Sequence, residues 1–200
     1  MKKQIILVGA FVVGLAACNQ QSKNETTEQQ TTEAHASMSA NDEANIVMVS
    51  AKYAEPGPEV GGLVKSLVAD YLDMKAALVK GDEATVAKSA EAIAGQLKSF
   101  DKSFLKSDEK ADFDQIVPGI SQSAQAIAKS KLDEQRKSFI EMSNNMHKLV
   151  STFESGKELY QQYCPMYEGG SSWLSDSKDI LNPYYGDKML TCGTVKEAIH

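Results

Sequence analysis

The chain has 200 residues, 42% of them hydrophobic and 24% charged, and its formal net charge is −6 at pH 7. This acidic balance argues against a nucleic-acid-binding protein, because phosphate contacts require clustered Lys and Arg side chains. The three Cys and three His residues match no zinc-site spacing. No nucleophile–base pair is recognisable, so the sequence does not predict an enzyme.

The chain opens with two Lys residues and an apolar run over residues 5–17. The run is shorter than the roughly 20 apolar residues that a spanning helix needs, and it is typical of a signal peptide over residues 1–17. It ends in Leu15-Ala16-Ala17-Cys18, which resembles the lipobox of bacterial lipoproteins. The resemblance implies cleavage before Cys18, acylation of Cys18 (palmitate among the acyl groups), and anchoring in the outer membrane, facing the periplasm or the exterior.

Residues 18–58 are predicted to form a disordered tether. Residues 19–40 contain almost no large apolar side chains, so ordering this segment would bury too little area to offset its entropy. A brief apolar run at residues 46–49 and the Pro56-Gly57-Pro58 breaker end the tether.

Residues 59–155 carry four stripes of apolar side chains at helical spacing, within residues 63–78, 86–104, 113–128 and 139–153. We expect Gly81-Asp82 to end the first helix and cap the second, Ser107 to cap the third, and Pro118 to kink or split the third. Four amphipathic segments with short loops predict a mainly α fold, an antiparallel four-helix bundle with a core that forms without the tail.

Residues 156–200 are predicted to form a small, irregular or β, C-terminal tail motif. Residues 158–166 are expected to be extended and residues 188–191 to form a second short strand. Pairing of these strands would bring Cys164 and Cys192 close together. Trp173 is expected to anchor the tail against the helices.

Four sulfur atoms in the tail are the candidate site, in the patterns Cys164-x-Met166 and Met189-x-x-Cys192. Thiolate and thioether ligands select soft ions such as Cu(I). A Cys164–Cys192 disulfide is the alternative, because Cys residues of exported domains usually pair, and closing a loop of about 29 residues contributes about 3.6 kcal/mol in the chain-entropy model. Taken alone, Met166 and Met189 are more typical of core residues that fill gaps.

His147, with Met142 and Met146, is a second possible copper-binding cluster. Because both Met residues follow the helix period, we interpret them as core residues and His147 as a boundary residue. His35 in the tether and His200 at the end of the sequence have no visible partner.

The segment 133–139, continued by Met142-Ser143 and followed by "YCPM", "WLS" and "NPYYGDKMLTCG", resembles an uncharacterised domain family of Bacteroidota lipoproteins. Related domains are fused to periplasmic adaptor subunits of copper/silver efflux pumps. The resemblance runs from residue 63 to the end, and its C-terminal signature is the most specific part. It implies a helical domain with a CPM-containing tail and a role in heavy-metal handling, with a metal efflux system as the partner.

Carried over residue by residue, the resemblance implies Cu(I) or Ag(I) ligands at Cys164, Met166, Met189 and Cys192. It implies framework roles for Trp173, Asn182, Pro183 and Gly186. The family often has His immediately before the CPM motif, whereas Tyr163 occupies that position in this chain. A non-enzymatic structural or interaction module, locked by a Cys164–Cys192 disulfide, is the alternative function.

Overall fold

The computed structural model describes residues 45–200, which form four helices and a four-stranded sheet. In chain order the elements are β1 (Val47–Val49), α1 (Pro58–Lys80), α2 (Glu83–Ser99), α3 (Ser107–Ala128), α4 (Leu132–Thr152), β2 (Leu159–Cys164), β3 (Ser171–Ser175) and β4 (Thr194–Ile199). Two 3-10 turns lie at Lys102–Phe104 and Gly186–Lys188. The prediction of a mainly helical chain with a small β part at the C-terminus is confirmed.

The junction between α1 and α2 is set by two consecutive residues. Gly81 adopts the left-handed conformation (φ +70°) that ends many helices, because glycine has no Cβ to clash there. The Asp82 side chain then accepts a hydrogen bond from the Thr85 backbone N–H at 3.1 Å, which satisfies one free donor of α2. The predicted boundary is confirmed.

The third helix differs from the prediction at its start. Lys106 is its N-cap residue and Ser107 its first helical residue; the Glu109 carboxylate accepts from the Lys106 N–H at 2.9 Å. The helix also runs through Pro118 without being split. The carbonyl group that loses its helical partner is that of Asp114, which is exposed and can bind water instead.

The sheet has the strand order β1-β4-β2-β3, and β2 pairs antiparallel with both neighbours. The prediction of an extended segment at residues 158–166 is confirmed by β2. The second predicted strand, residues 188–191, is wrong, because these residues complete the 3-10 turn and the turn after it. They lie in a loop closed by a backbone hydrogen bond from Asn182 N to Leu190 O at 2.8 Å.

The last part of the predicted tether is ordered. β1 pairs in parallel with β4, in the register Val47 to Glu197, and Tyr53 forms a bridge with Phe153. β4 offers an unpaired edge after pairing with β2, and the short apolar run satisfies it. The boundary of 58 for the tether is therefore wrong within the described residues. The predicted signal peptide, Cys18, His35 and residues 19–44 lie outside them.

The core includes the helical stripes and the tail together. Trp173 and Tyr184 of the tail are almost fully buried in the same apolar cluster as Tyr71 of α1 and Phe139 of α4. The Tyr71 ring stacks on Phe139, and Tyr184 lies 6.0 Å from Phe139 between ring centroids. The expectation that Trp173 anchors the tail against the helices is confirmed, and whether the helical core forms without the tail stays a prediction. The sheet covers an apolar surface that the helices leave open.

None of the helices within residues 45–200 is both long and apolar enough to cross a membrane.

Candidate functional site

The two Cys residues of the tail lie side by side. Cys164 is the last residue of β2 and is fully buried, whereas Cys192 follows the loop closed by Asn182 and is half-buried. Their thiols are in hydrogen-bonding contact, and neither belongs to a disulfide. The structure thus brings the two sulfur atoms together, although the strand that was expected to do so is replaced by a loop.

The environment of this pair keeps the Cys192 thiol protonated. Burial and the neighbouring Cys164 thiol raise the pKa of Cys192 to about 11. A thiol is nucleophilic or metal-binding only as the thiolate. Cys192 is therefore not an activated nucleophile at neutral pH, and any metal that binds it must displace its proton.

The two Met residues of the candidate site lie on the surface. Met166 lies in the turn after β2 and is 60% exposed, and Met189 follows the second 3-10 turn and is 38% exposed. The Cys192 N–H donates to the Met189 carbonyl at 3.1 Å, which folds the Met189–Cys192 segment into a turn. The interpretation of these Met residues as core gap-fillers is wrong. Their thioethers lie on segments that adjoin the thiol pair but face solvent.

The residues that the family resemblance implied as framework have visible structural roles. The fully buried Asn182 donates from Nδ2 to the Cys192 carbonyl at 2.8 Å, and its Oδ1 accepts from the Tyr184 N–H at 2.8 Å. A Cβ on Gly186, which has φ +54°, would lie 2.9 Å from the Val79 carbonyl oxygen. Asn182 and Gly186 therefore fix the loop that positions Cys192.

Sequence reasoning missed two cationic residues that attach the tail to the helices. The Arg136 guanidinium donates to the Pro183 carbonyl at 3.2 Å and to the Leu78 carbonyl at 3.3 Å. Lys75 had the spacing of a solvated polar position on α1, but it is buried, and its Nζ donates to Ser175 Oγ at 3.1 Å. Helical periodicity gives no signal for either contact, since both depend on tail residues distant in sequence.

The second possible copper-binding cluster lies at the boundary of the core. Met142 and Met146 are fully buried in the core, and His147 Nε2 lies 2.6 Å from Glu197 Oε2 on β4. The interpretation of two core Met residues and a boundary His is confirmed. His200 Nε2 lies 3.6 Å from the Glu158 carboxylate.

Within residues 45–200, no group of three or more His, Cys, Asp or Glu side chains is arranged to hold a metal ion. The thiol pair is the soft donor set that the fold assembles.

Comparison with known families finds a similarity in the helical region. Residues 67–158 match the family model described as "Protein of unknown function (DUF3347)". The match begins within α1 and ends just before β2, so it does not include the four candidate sulfur ligands. The resemblance described from the sequence motifs runs further, to the end of the chain. Neither a curated protein nor a solved structure matches the chain. The similarity covers less than half of the chain, and the segments that carry the thiol pair lie after it.

Proposed function

We propose that this chain is a lipid-anchored, periplasm-facing protein that binds Cu(I) or Ag(I) through Cys164 and Cys192. The observation that carries the proposal is the contact between two thiols that are not linked by a disulfide. Thiolates are soft ligands and favour Cu(I) over hard cations. One of the two thiols is buried in the core, so core packing fixes the position of its Cys residue.

Met166 and Met189 are the further ligands in this proposal. Their exposed side chains have several rotatable bonds, so the thioethers can turn toward the thiol pair without a change in the core. The two kinds of sulfur ligand then have different roles. The two Cys residues supply most of the affinity, and the two Met residues complete a soft donor set from the solvent side.

A Cu(I) competition titration of the reduced full-length protein tests the proposal. We expect one Cu(I) per chain, and loss of this binding in the Cys164→Ser/Cys192→Ser variant. Cys18→Ser is the matched control, because it removes the other Cys of the chain and should leave the affinity unchanged. If the double variant competes as well as the parent, these sulfur atoms are not the site.

The contribution of the Met residues is measured in the same titration. Met166→Leu/Met189→Leu should weaken binding without abolishing it, whereas Met48→Leu, another exposed Met on β1, should have no effect. The affinity should also rise with pH below about 11, since the proton of Cys192 must leave when the metal binds. The expected slope is about tenfold per pH unit for each proton released.

A disulfide-locked interaction module is the second candidate function, and the same thiol contact favours it. In an oxidising compartment the pair would close a covalent loop over residues 164–192. Intact mass after thiol alkylation, with and without reductant, separates the two candidates. Free, alkylatable thiols in freshly purified exported protein would contradict the disulfide, and a fully formed disulfide would contradict a resident Cu(I) site.

The proposal also includes a lipid anchor, a partner and an antiparallel arrangement of the helices. Cys18 lies outside the described residues, and its acylation is tested by labelling with a palmitate analogue in the parent and in Cys18→Ser. A metal efflux system is the partner that the family resemblance favours. The short connections between consecutive helices support the antiparallel arrangement.

A further inference from the structure

A cavity of about 300 Å³ opens between the first turns of α4 and the loop that follows Asn182. Arg136 and Lys137 line it from α4, and Lys188 lines it from the loop. Neither Cys of the thiol pair is among the lining residues, so the proposed metal function leaves this cavity without a role.

The residues that line the cavity include three cations and one carboxylate, that of Asp133. Arg136 is 14% exposed and held in place by two backbone carbonyls, while the Asp133 carboxylate, 3.8 Å from its guanidinium, is 90% exposed. Lys137 is paired with Glu134 at 2.8 Å. Lys188 forms no ion pair with any residue in the range 45–200. The cavity therefore has an ordered guanidinium and an ammonium group that remains available to an anion.

Three Tyr side chains form the other wall. The Tyr167 ring stacks on Tyr184 at 4.7 Å between centroids and meets Tyr185 edge-on at 5.4 Å. The hydroxyls of Tyr184 and Tyr185 donate to the carbonyls of Ser172 and Met166, at 2.6 and 2.8 Å, which fixes both rings. The Tyr167 hydroxyl has no hydrogen-bond partner within the described range, so it remains a donor for a ligand.

The Tyr167 hydroxyl lies near charged groups of both signs. Burial and the Glu168 charge, with a smaller effect of Asp133, raise the pKa of Tyr167, while the positive charges of Arg136 and Lys137 partly oppose this shift. Arg136 and Lys137 line the same cavity as the Tyr167 ring. Flat aromatic surface and cationic donors occur on adjoining walls of one cavity.

We propose that this cavity binds a small phosphate ester that carries a flat ring. The phosphate would be held by Lys188, by the outer face of the Arg136 guanidinium and by the Tyr167 hydroxyl, since Arg and Lys are the usual phosphate ligands. The ring would pack against the Tyr167 and Tyr185 rings, as aromatic pairs do. The volume of about 300 Å³ suits a single ring with its charged group.

Titration calorimetry of the full-length, metal-free protein with phenyl phosphate tests the proposal at constant ionic strength. Inorganic phosphate and phenol are the two fragment probes. Phenyl phosphate should bind at one saturable site and more tightly than inorganic phosphate by about fivefold, because the ring adds an aromatic contact. Equal affinity for phenyl phosphate and inorganic phosphate, or no saturable binding of phenyl phosphate, would overturn the proposal.

Charge reversal locates the site. Lys188→Glu should weaken phenyl phosphate binding by about tenfold or more, because it removes a charged donor and adds a repulsive carboxylate. Lys98→Glu on α2 is the matched control, with the same change in net charge at an exposed position away from the cavity. Tyr167→Phe keeps the ring, removes the hydroxyl and should weaken binding a few-fold. Equal losses in the Lys188 and Lys98 variants would mean non-specific attraction and would contradict the site.

Discussion

The helical region and the tail are stabilised by different kinds of contact. In α1 to α4 the buried residues recur at helical spacing, so the apolar face of each helix can be recognised from the local sequence. In the tail, buried polar side chains bind backbone carbonyls that are distant along the chain, as Gln162 does with Ser177 and Asp179 and Tyr184 does with Ser172. Order in the tail therefore depends on particular polar side chains rather than on a repeated pattern.

The two regions meet at a small set of buried polar contacts. The Leu174 N–H donates to the Tyr71 hydroxyl at 3.0 Å, and that hydroxyl also bonds to Ser143 Oγ at 2.7 Å. Lys75 and Arg136 make further polar contacts across the junction. These contacts imply that the stability of the helices depends on the tail. A substitution at a more deeply buried position of the junction should therefore change the free energy of unfolding more.

Truncation after Ser155 should have the largest effect. It removes Trp173 and Tyr184 from the core, so Tyr71 and Phe139 lose the apolar surface that covers them. We expect a loss of cooperative urea unfolding, with helical circular dichroism partly retained. A cooperative transition equal to that of the parent would mean that the helices form a complete domain alone.

Trp173→Ala tests the same point without removing the tail. Trp173 is fully buried, so the substitution should lower the free energy of unfolding by about 3–5 kcal/mol. Phe104→Ala is the matched control, since Phe104 is 50% exposed and should contribute less than about 1 kcal/mol. Similar losses for the two variants in urea titrations would show that the tail is not part of the core.

Tyr71→Phe should have the next largest effect. It keeps the stacked ring but leaves the Leu174 N–H and the Ser143 hydroxyl without their partner. The expected loss is about 1–3 kcal/mol in the free energy of unfolding, as for other unpaired buried groups. Tyr185→Phe removes a hydroxyl whose hydrogen bond is exposed, so its loss should be clearly smaller. Equal losses would mean that the buried link contributes no more than a surface hydrogen bond.

The helices could be predicted from the sequence because their signals are local. Gly81, Asp82 and the apolar stripes act within a few residues, and the corresponding boundaries are confirmed. β1 could not be predicted, since its partner β4 lies about 150 residues later in the chain. The sequence also singled out the sulfur residues of the candidate site. It could not show that the thiols meet in the core while the thioethers stay at the surface, because loop geometry decides this.

Lys75→Met should slightly raise the free energy of unfolding, whereas the substitutions above lower it. Burial lowers the pKa of Lys75, with the charge of Asp176 only partly opposing it, so the folded state holds this proton less tightly than the unfolded state. A Met of similar length avoids the desolvated charge, and we expect the variant to be about 1 kcal/mol more stable at pH 7. Lys88→Met, at an exposed position on α2, is the control and should be neutral.

The pH dependence of the Lys75 effect has a definite sign. Between its lowered pKa and 10.5 the unfolded chain binds more protons at this position than the folded chain. The parent therefore gains stability relative to Lys75→Met as pH rises toward 10.5. Urea titrations at several pH values should show the advantage of the variant shrinking. A constant advantage would mean that the Lys75 charge is not the cause.

The smallest effect is expected at the edge of the junction, where α4 meets β4. His147 Nε2 and Glu197 Oε2 are 2.6 Å apart, with side chains 24% and 25% exposed. A double-mutant cycle with His147→Ala and Glu197→Ala should give a coupling energy of about 0.5–1 kcal/mol, since the pair is partly shielded from water. The control cycle is Lys137→Ala with Glu134→Ala, an exposed pair within α4 that should couple by about 0.3 kcal/mol. A smaller coupling for His147 and Glu197 than for this control would mean that the sheet edge is attached by its backbone and apolar contacts alone.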